Sequence, residues 1–220
     1  MQNDEVKYYY DILKKKKISR FFKRLFDIVL SFLMLILLSP FFLILAVLIK
    51  IDSKGPVFYR QVRITRYGRE FRIFKFRTMV NNADKKGGLI TQANDSRITR
   101  VGKVIRKLRL DEVSQLIDVF RGTMSFVGTR PEVPMFVEKY SPKMLATLLM
   151  PAGITSLASI KFKDEDSFLT ASTKEENDKI YIQTVLPLKM QYNLKSIEKF
   201  SFFCEIGVMF KTVFAVFKKG

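Results

Sequence analysis

One uninterrupted uncharged stretch, IVLSFLMLILLSPFFLILAVLI over residues 28 to 49, dominates the hydrophobic pattern of the chain. About twenty apolar residues are enough to cross the hydrocarbon core of a bilayer, so the first interpretation is a membrane-spanning helix. Ser39 and Pro40 interrupt the stretch near its middle. Because proline lacks an amide donor and crowds the carbonyl four residues earlier, we expect the helix to bend there. The Ser39 hydroxyl can supply a hydrogen-bond partner at the bend.

Positive charge on both sides of this stretch favours a second interpretation, a re-entrant hairpin. Lysines and arginines cluster before it, over residues 14 to 24, and again after it, over residues 50 to 69. A spanning helix would place one of these clusters on the wrong face of the membrane. At about 1.5 Å per residue the two arms reach roughly 18 and 14 Å, close to one leaflet of a core about 30 Å thick. The pattern therefore predicts a helix-break-helix element over residues 28 to 49, with a kinked spanning helix as the alternative.

After the apolar stretch the pattern becomes typical of short strands. VFYRQVRI and FRIFKFRTM, at residues 57 to 64 and 71 to 79, alternate apolar with mostly basic residues at a period near two. Arg66, Tyr67 and Gly68 form the predicted turn between them, where glycine supplies a permissive backbone. The polar residues from 81 to 95 indicate a surface loop that could cover a site.

A helix is predicted to start near Asp111 and to end just before Gly122, at which a left-handed cap is commonly needed. Its helical spacing is carried by five apolar residues: Leu110, Val113, Leu116, Ile117 and Phe120. The segment FSFFCEIGVMFKTVFAVFKK, residues 200 to 219, favours an interfacial amphipathic helix, with core packing as the alternative. We expect Cys204 to pack within it as a small hydrophobe. The predicted fold class is mainly α with short β segments, in a monotopic membrane protein.

Composition narrows the chemistry. The 39 lysines and arginines against 21 acids give a formal charge of +18, which indicates attraction to anionic lipid, nucleotide or nucleic acid. Charge beside a membrane segment favours lipid head groups and phosphorylated small molecules over DNA. With no histidine and one cysteine, the chain cannot form an internal disulfide, a Cys or His zinc site, or a Ser-His or Cys-His nucleophile pair. Catalysis must use carboxylates, hydroxyls, lysine or a hard metal.

The candidate chemistry lies where a basic run, residues 97 to 109, meets Asp111 and Glu112. Two acids at a helix start can simply offset the helix dipole. The alternative is functional: a carboxylate kept ionised by a helix N-terminus and nearby arginine can attack phosphorus. Glu112 could hold Mg²⁺, which typically takes one or two protein carboxylates. In the proline-stiffened loop SFVGTRPEVP, Arg130 suits bidentate phosphate recognition, with an ordinary ion pair as the alternative.

Several separated motifs in one order resemble the bacterial sugar transferases, the monotopic phosphoglycosyl transferases, over roughly residues 20 to 155. The motifs are RLFDIVLSFLMLILLSPFFLILAVLIKIDSKGPVFYRQVR, FRIFKFRTM, DSRITRVGKVIRKLRLDEVSQL and SFVGTRPE. That family passes a sugar phosphate from a nucleotide sugar, usually a UDP-sugar, to polyprenyl phosphate, which begins membrane glycan assembly. The family usually has a proline where Thr129 stands, and a Gly-Ile-Thr-Gly segment where this chain reads GITSLASI.

The resemblance implies roles for individual residues. Asp111 would be the nucleophile that forms a covalent aspartyl phosphosugar, and Glu112 the catalytic ligand of Mg²⁺. Ser39 and Pro40 match the helix break of the family, which places both ends of the hairpin on the cytoplasmic side. Substrate contacts would come from Arg106, Arg130, Pro131 and Glu132.

The implied organisation is a basic segment at residues 1 to 27, the re-entrant helix at 28 to 49 and a cytoplasmic catalytic domain at 50 to 220, acting as one unit. The expected location is the cytoplasmic face of the bacterial inner membrane. Expected partners are a UDP-sugar, polyprenyl phosphate and anionic lipid, with no nucleic acid and with oligomers possible. The alternatives are a noncatalytic membrane scaffold and a membrane-anchored polyanion-binding protein. The sequence does not predict which sugar is transferred.

Overall fold

A computed structural model of the chain describes residues 3–83, 95–163 and 173–217. Most of the predicted surface loop at residues 81 to 95 lies outside these ranges. Within them the fold is mainly helical with two small sheets, which confirms the predicted class of α structure with short β segments. The helices are α1 (Asp4–Lys15), α2 (Lys17–Asp52), α3 (Arg100–Lys107), α4 (Leu116–Arg121), α5 (Pro134–Val137), α6 (Leu157–Lys161), α7 (Lys174–Ile180), α8 (Leu186–Glu198) and α9 (Phe202–Phe217). The strands are β1 (Phe58–Ile64), β2 (Glu70–Phe76), β3 (Met124–Val127) and β4 (Ala152–Thr155).

The long apolar stretch lies in one continuous helix, α2, which begins at Lys17 rather than at residue 28. Pro40 stands inside this helix and cannot donate to the carbonyl of Ile36. The Ser39 hydroxyl donates to that same carbonyl at 2.8 Å, so it supplies the predicted replacement partner. Among the described residues α2 is the one helix long and apolar enough to cross a membrane. Only 11% of its most apolar 18-residue segment is buried against the rest of the protein.

Helix α2 packs against the rest of the protein on both sides of Pro40. Near its start, Arg24 donates to the carbonyls of Val119 and Phe120 in α4, at 2.7 and 2.8 Å. At its end, the Asp52 carboxylate accepts from the amide of Val101 in α3 at 2.9 Å. Between these ends its inner face covers two apolar clusters through Leu30, Met34, Leu35, Leu38, Phe42, Leu45 and Ile49. One body of protein therefore contacts both ends of the helix.

Arg77, which directly follows β2, closes the C-terminal end of α2. Its Nη2 atom donates to the carbonyl of Ser53 at 2.6 Å and its Nη1 atom to that of Lys54 at 3.2 Å. Gly55 makes this contact possible: its φ is +131°, and a Cβ atom there would lie 2.0 Å from Nη1 of Arg77. The end of α2 is thereby fixed to the first sheet.

The first sheet confirms the predicted strand pair. Strands β1 and β2 are antiparallel, with Phe58 opposite Phe76 and Ile64 opposite Glu70. The turn between them falls at the predicted residues 66 to 68, where Gly68 has a φ of +72°. The second sheet, in which β3 pairs parallel with β4, has strands of four residues and was not predicted.

Helix α9 confirms the predicted C-terminal helix, although the prediction for Cys204 is wrong. The packed face of α9 carries Glu205, which forms an ion pair with Lys23 of α2, and Val208, which is buried in a core cluster. Cys204 lies off this face and is exposed. Lys23 also donates to the carbonyl of Val127 at 2.8 Å, so α2, α9 and β3 are tied together at one point.

Candidate active site

Asp111 and Glu112 lie in a short 3-10 helix, Leu110–Gln115, and α4 begins only at Leu116. The prediction of a helix that starts near Asp111 and ends just before Gly122 is therefore wrong in its first half, whereas α4 and its left-handed cap at Gly122 confirm the second half. Arg109, with a φ of 54°, turns the chain between α3 and this segment. The 3-10 segment runs directly into α4, and the side chains around the two acids differ.

Glu112 is held between two cations. Its Oε1 atom accepts from Nη2 of Arg130 at 2.6 Å and from Nζ of Lys75 at 3.0 Å, and its Oε2 atom accepts from Nη1 of Arg130 at 3.3 Å. Burial acts to raise the pKa of Glu112, but the two cations outweigh it and hold that pKa well below its usual range. Glu112 therefore stays ionised at any physiological pH.

Asp111 has the opposite electrostatic environment. Burial raises the pKa of Asp111, the negative charge of Glu112 raises it further, and Lys75 offsets only part of this. A carboxylate with a raised pKa is more basic, and therefore a stronger nucleophile wherever it is ionised. The pKa values of the two adjacent acids are thus shifted in opposite directions, that of Glu112 downward and that of Asp111 upward.

Asp111 lines a cleft of about 520 Å³. The strands β1 and β2, the segment that follows β2, and α3 form its walls. Among the described lining residues Asp111 is the single acid, while the cations are Arg60, Arg63, Lys75, Arg77, Arg97 and Arg106. A cleft with this charge balance suits a diphosphate that brings its own negative charge to the carboxylate.

The structure brings together four of the residues selected from the sequence. Asp111 and Arg106 line the cleft. Glu112 follows Asp111 in the chain and holds Arg130 by a bidentate contact, although neither Glu112 nor Arg130 is among the residues that line the cleft. For Arg130 the sequence left two interpretations open, phosphate recognition and an ordinary ion pair, and the contact with Glu112 is such an ion pair. Sequence reasoning missed Lys75, because the basic residues of β2 were read only as the polar half of a strand pattern.

Pro131 and Glu132, predicted as substrate contacts, face other partners. The carbonyl of Pro131 accepts from Nη1 of Arg63 at 3.0 Å. The buried Glu132 carboxylate accepts from the hydroxyl of Tyr181 at 2.5 Å and lies 3.5 Å from the Lys189 ammonium. Neither residue is among those that line the cleft. The structure therefore gives Glu132 a bracing contact between the Arg130 loop and the C-terminal helices.

The donor set around Asp111 fits Mg²⁺ only with help from substrate. Within the described ranges no three Asp, Glu, Cys or His residues come together as a ligand cluster. Magnesium commonly takes one or two protein carboxylates and fills its other positions with water and phosphate oxygens. Glu112 is ionised, and its Oε2 atom receives one long hydrogen bond, at 3.3 Å from Arg130, which leaves a lone pair available.

Comparison with known proteins identifies the class of this protein. A family model for bacterial sugar transferases matches residues 18–219. The chain therefore belongs to the bacterial sugar transferase family, which confirms the resemblance seen in its motifs.

Named relatives extend over most of this chain. It is 35% identical over 196 residues to the UDP-N-acetylgalactosamine-undecaprenyl-phosphate N-acetylgalactosaminephosphotransferase of Aeromonas hydrophila, covering 88% of this chain and 43% of that protein. It is 38% identical over 208 residues to the UDP-glucose:undecaprenyl-phosphate glucose-1-phosphate transferase of Klebsiella pneumoniae, covering 91% and 41%. It is 32% identical over 209 residues to the exopolysaccharide production protein ExoY of Sinorhizobium fredii, covering 88% and 84%. The chain thus spans about two fifths of the first two relatives and most of the third.

Proposed function

We propose that this protein transfers a sugar 1-phosphate from a UDP-sugar to polyprenyl phosphate, and so begins glycan assembly at the cytoplasmic face of the bacterial inner membrane. The observation that carries the proposal is a single acid, Asp111, on a cleft whose other charged lining residues are all cations. The cations suit a nucleotide diphosphate, and Asp111 is the one carboxylate among the described lining residues that could attack its phosphorus. Two relatives with names of this kind, from Aeromonas hydrophila and Klebsiella pneumoniae, support the choice of donor and acceptor.

In the first step an oxygen of Asp111 attacks the phosphorus bonded to the sugar. The new bond joins carboxylate oxygen to phosphorus, and the bond to the bridging oxygen breaks, so that UMP leaves with the electron pair. Arg106 and Lys75 neutralise charge on the diphosphate as it enters the cleft. The raised pKa of Asp111 favours this step because it makes the carboxylate more nucleophilic.

In the second step a phosphate oxygen of the polyprenyl acceptor attacks the aspartyl phosphosugar. The bond between Asp111 and phosphorus breaks, the carboxylate is regenerated, and a polyprenyl diphosphate sugar is released. Arg130 and Lys75 hold Glu112 as a fixed anion throughout both steps. A Mg²⁺ ion held by Glu112 would neutralise phosphate oxygens and stabilise the departing nucleotide.

The contacts of α2 support the re-entrant arrangement. At about 1.5 Å per residue, a straight helix would separate Arg24 from Asp52 by roughly 42 Å, more than the thickness of a hydrocarbon core. A straight crossing would put these residues on opposite sides, yet α4 contacts the first and α3 contacts the second. We therefore place both ends of α2 on the cytoplasmic side, with its exposed apolar face in one leaflet. This arrangement holds the cleft near the phosphate of an acceptor whose tail stays in lipid.

The chemistry is tested by trapping the intermediate. The full chain, purified in detergent with Mg²⁺, is mixed with a panel of UDP-sugars carrying ³²P in the phosphate next to the sugar, without acceptor. We expect label on the protein and release of UMP, with loss of the label when polyprenyl phosphate is added. Asp111→Asn should take up no label. The matched control is Asp118→Asn, because Asp118 is buried beside the strands, accepting from the amide of Phe74 at 2.8 Å, and does not line the cleft. Equal labelling of the Asp111→Asn variant would refute the nucleophile.

The membrane arrangement is tested separately. In a chain whose Cys204 is changed to serine, Lys7→Cys and Arg69→Cys place single thiols on exposed positions before and after α2. A membrane-impermeant maleimide should label neither in intact cells and both after permeabilisation. Labelling of one position but not the other in intact cells would establish a crossing and overturn the re-entrant arrangement.

A further inference from the structure

A second cavity, of about 630 Å³, lies between the first turns of α2 and the turn that joins β1 to β2. It shares no lining residue with the active-site cleft. The turn end of the β1–β2 hairpin lines this cavity, while its open end lines the cleft. At about 3.3 Å per residue the two ends are roughly 20 Å apart, so the cavity is a separate place on the molecule.

This cavity is strongly cationic. One of its lining cations, Lys23, is paired with Glu205. Five others form no ion pair with any carboxylate in the part of the chain that the structure describes: Lys17, Arg20, Arg24, Arg66 and Arg69. The lining acids are Glu70 and the buried Asp27, whose carboxylate accepts from the amide of Phe126 at 3.3 Å. The cavity therefore has a large excess of uncompensated positive charge.

Apolar side chains also line this cavity, which adjoins the membrane segment. Phe21, Phe71, Met150 and Pro151 line it beside the cations. Helix α2 continues from the cavity directly into the apolar stretch at residue 28, where its outer face carries exposed side chains. A soluble anion would use the charges and leave the apolar walls in water. A phosphate attached to a hydrocarbon chain would use both, with its tail following α2 into lipid.

We propose that this cavity binds the phosphate head of a membrane lipid at a site distinct from the catalytic cleft. The required chemistry is an anionic phosphate on an apolar chain, which an anionic glycerophospholipid or polyprenyl phosphate can supply. The cavity lies beside the start of α2 and the turn end of the β1–β2 hairpin, whereas the cleft lies beside the end of α2 and the open end of the hairpin. A lipid bound in the cavity therefore anchors the turn end of the hairpin at the head-group level.

The test uses the full chain in detergent and measures lipid binding by native mass spectrometry. The probes are phosphatidylglycerol, phosphatidylcholine, polyprenyl phosphate and inorganic phosphate. Arg20→Gln combined with Arg66→Gln removes two cavity charges, neither of which forms an ion pair in the described structure. Lys14→Gln combined with Lys15→Gln is the matched control, because both are exposed on α1 and lie outside the cavity.

We expect the unmodified chain and the control to bind one phosphatidylglycerol equally. The cavity variant should bind it about tenfold more weakly or worse, since each basic residue near a lipid phosphate contributes roughly a factor of five. Arg69→Gln alone should give a smaller loss. Arg106→Gln, in the catalytic cleft, should leave phosphatidylglycerol binding unchanged, which separates this site from the proposed transferase site. Thermal unfolding of each variant shows that the fold is retained.

Four outcomes would overturn the proposal. The first two are an equal loss of phosphatidylglycerol binding in the cavity variant and the control, and no loss of that binding in the cavity variant. The other two are phosphatidylcholine binding as tight as that of phosphatidylglycerol, and full displacement of phosphatidylglycerol by inorganic phosphate at the same concentration. Displacement of phosphatidylglycerol by polyprenyl phosphate, in the Arg106→Gln background, would support the cavity and assign polyprenyl phosphate as its ligand. Failure of that displacement, with phosphatidylglycerol still bound, would support it and assign the glycerophospholipid.

Discussion

Replacing Arg77 by alanine should loosen the end of α2 beside the active-site cleft. The guanidinium makes two hydrogen bonds within 3.2 Å to the carbonyls of Ser53 and Lys54, and the residue is 5% exposed. A carbonyl left without a partner costs about 1–3 kcal/mol when buried, and these two hydrogen bonds are partly buried. The Nε atom of Arg77 is itself buried without a hydrogen-bond partner in the described structure, and its removal offsets part of the loss. The expected loss is therefore about 2–4 kcal/mol in the free energy of unfolding.

For a chain of this length, 1 kcal/mol lowers the thermal midpoint by about 2–4 °C, so we expect a decrease of roughly 5 to 15 °C. Far-ultraviolet circular dichroism of the detergent-solubilised chain measures it. Arg72→Ala, on the exposed side of β2, is the matched control and should shift the midpoint little. Arg77→Lys should recover part of the stability, because an ammonium reaches fewer carbonyls than the guanidinium. If Arg77→Ala loses no more stability than Arg72→Ala, the capping contact does not hold α2 in place.

Three further changes test other parts of the structure. Gly122→Ala should destabilise the fold by about 1–2 kcal/mol, since Gly122 has a φ of +85° and the added Cβ would lie 3.0 Å from Arg24. Gly207→Ala is the control: this glycine lies in a helix with open space around it, so the substitution should be neutral or slightly stabilising in the same thermal melt. The rate of sugar phosphate transfer should fall as pH decreases through the raised pKa of Asp111, because the ionised carboxylate is the form that attacks. The acid limb of the pH–rate profile should therefore lie above the pKa of about 3.9 of a free aspartate, and an acid limb at or below that value would contradict the prediction. Ser39→Ala removes the hydroxyl that donates to the Ile36 carbonyl, which Pro40 cannot bond, and should lower the free energy of unfolding in bilayer nanodiscs by about 1 kcal/mol. An unchanged stability would show that water or a lipid head group replaces the hydrogen bond.

The sequence predicted the local elements more reliably than their ends. The strand pair β1 and β2 follows from its alternating pattern and a glycine turn, and both were found where expected. The spacing of Leu110, Val113, Leu116, Ile117 and Phe120 predicts an α-helix that starts near Asp111, but the first three of these residues recur every three positions. That spacing also fits a 3-10 helix, so periodicity could not distinguish the two.

Contacts between distant parts of the chain could not be predicted. Lys75 meets Glu112 across 37 residues because the strand pair folds over the 3-10 segment. The motif suggested a substrate contact for Glu132, but its partners Tyr181 and Lys189 come from a region where the sequence carried no recognised signal. Local pattern identified the chemical groups at the site, whereas tertiary packing decided which of them meet.

The contact at Glu132 also sets how short a working version of this protein can be. All the charged groups of the cleft precede residue 131, so a fragment ending there would contain every reacting side chain. Such a fragment would lack Tyr181 and Lys189, which hold the loop just after Arg130 from about fifty residues further along. A minimal unit that keeps Arg130 on Glu112 must therefore extend at least through Lys189.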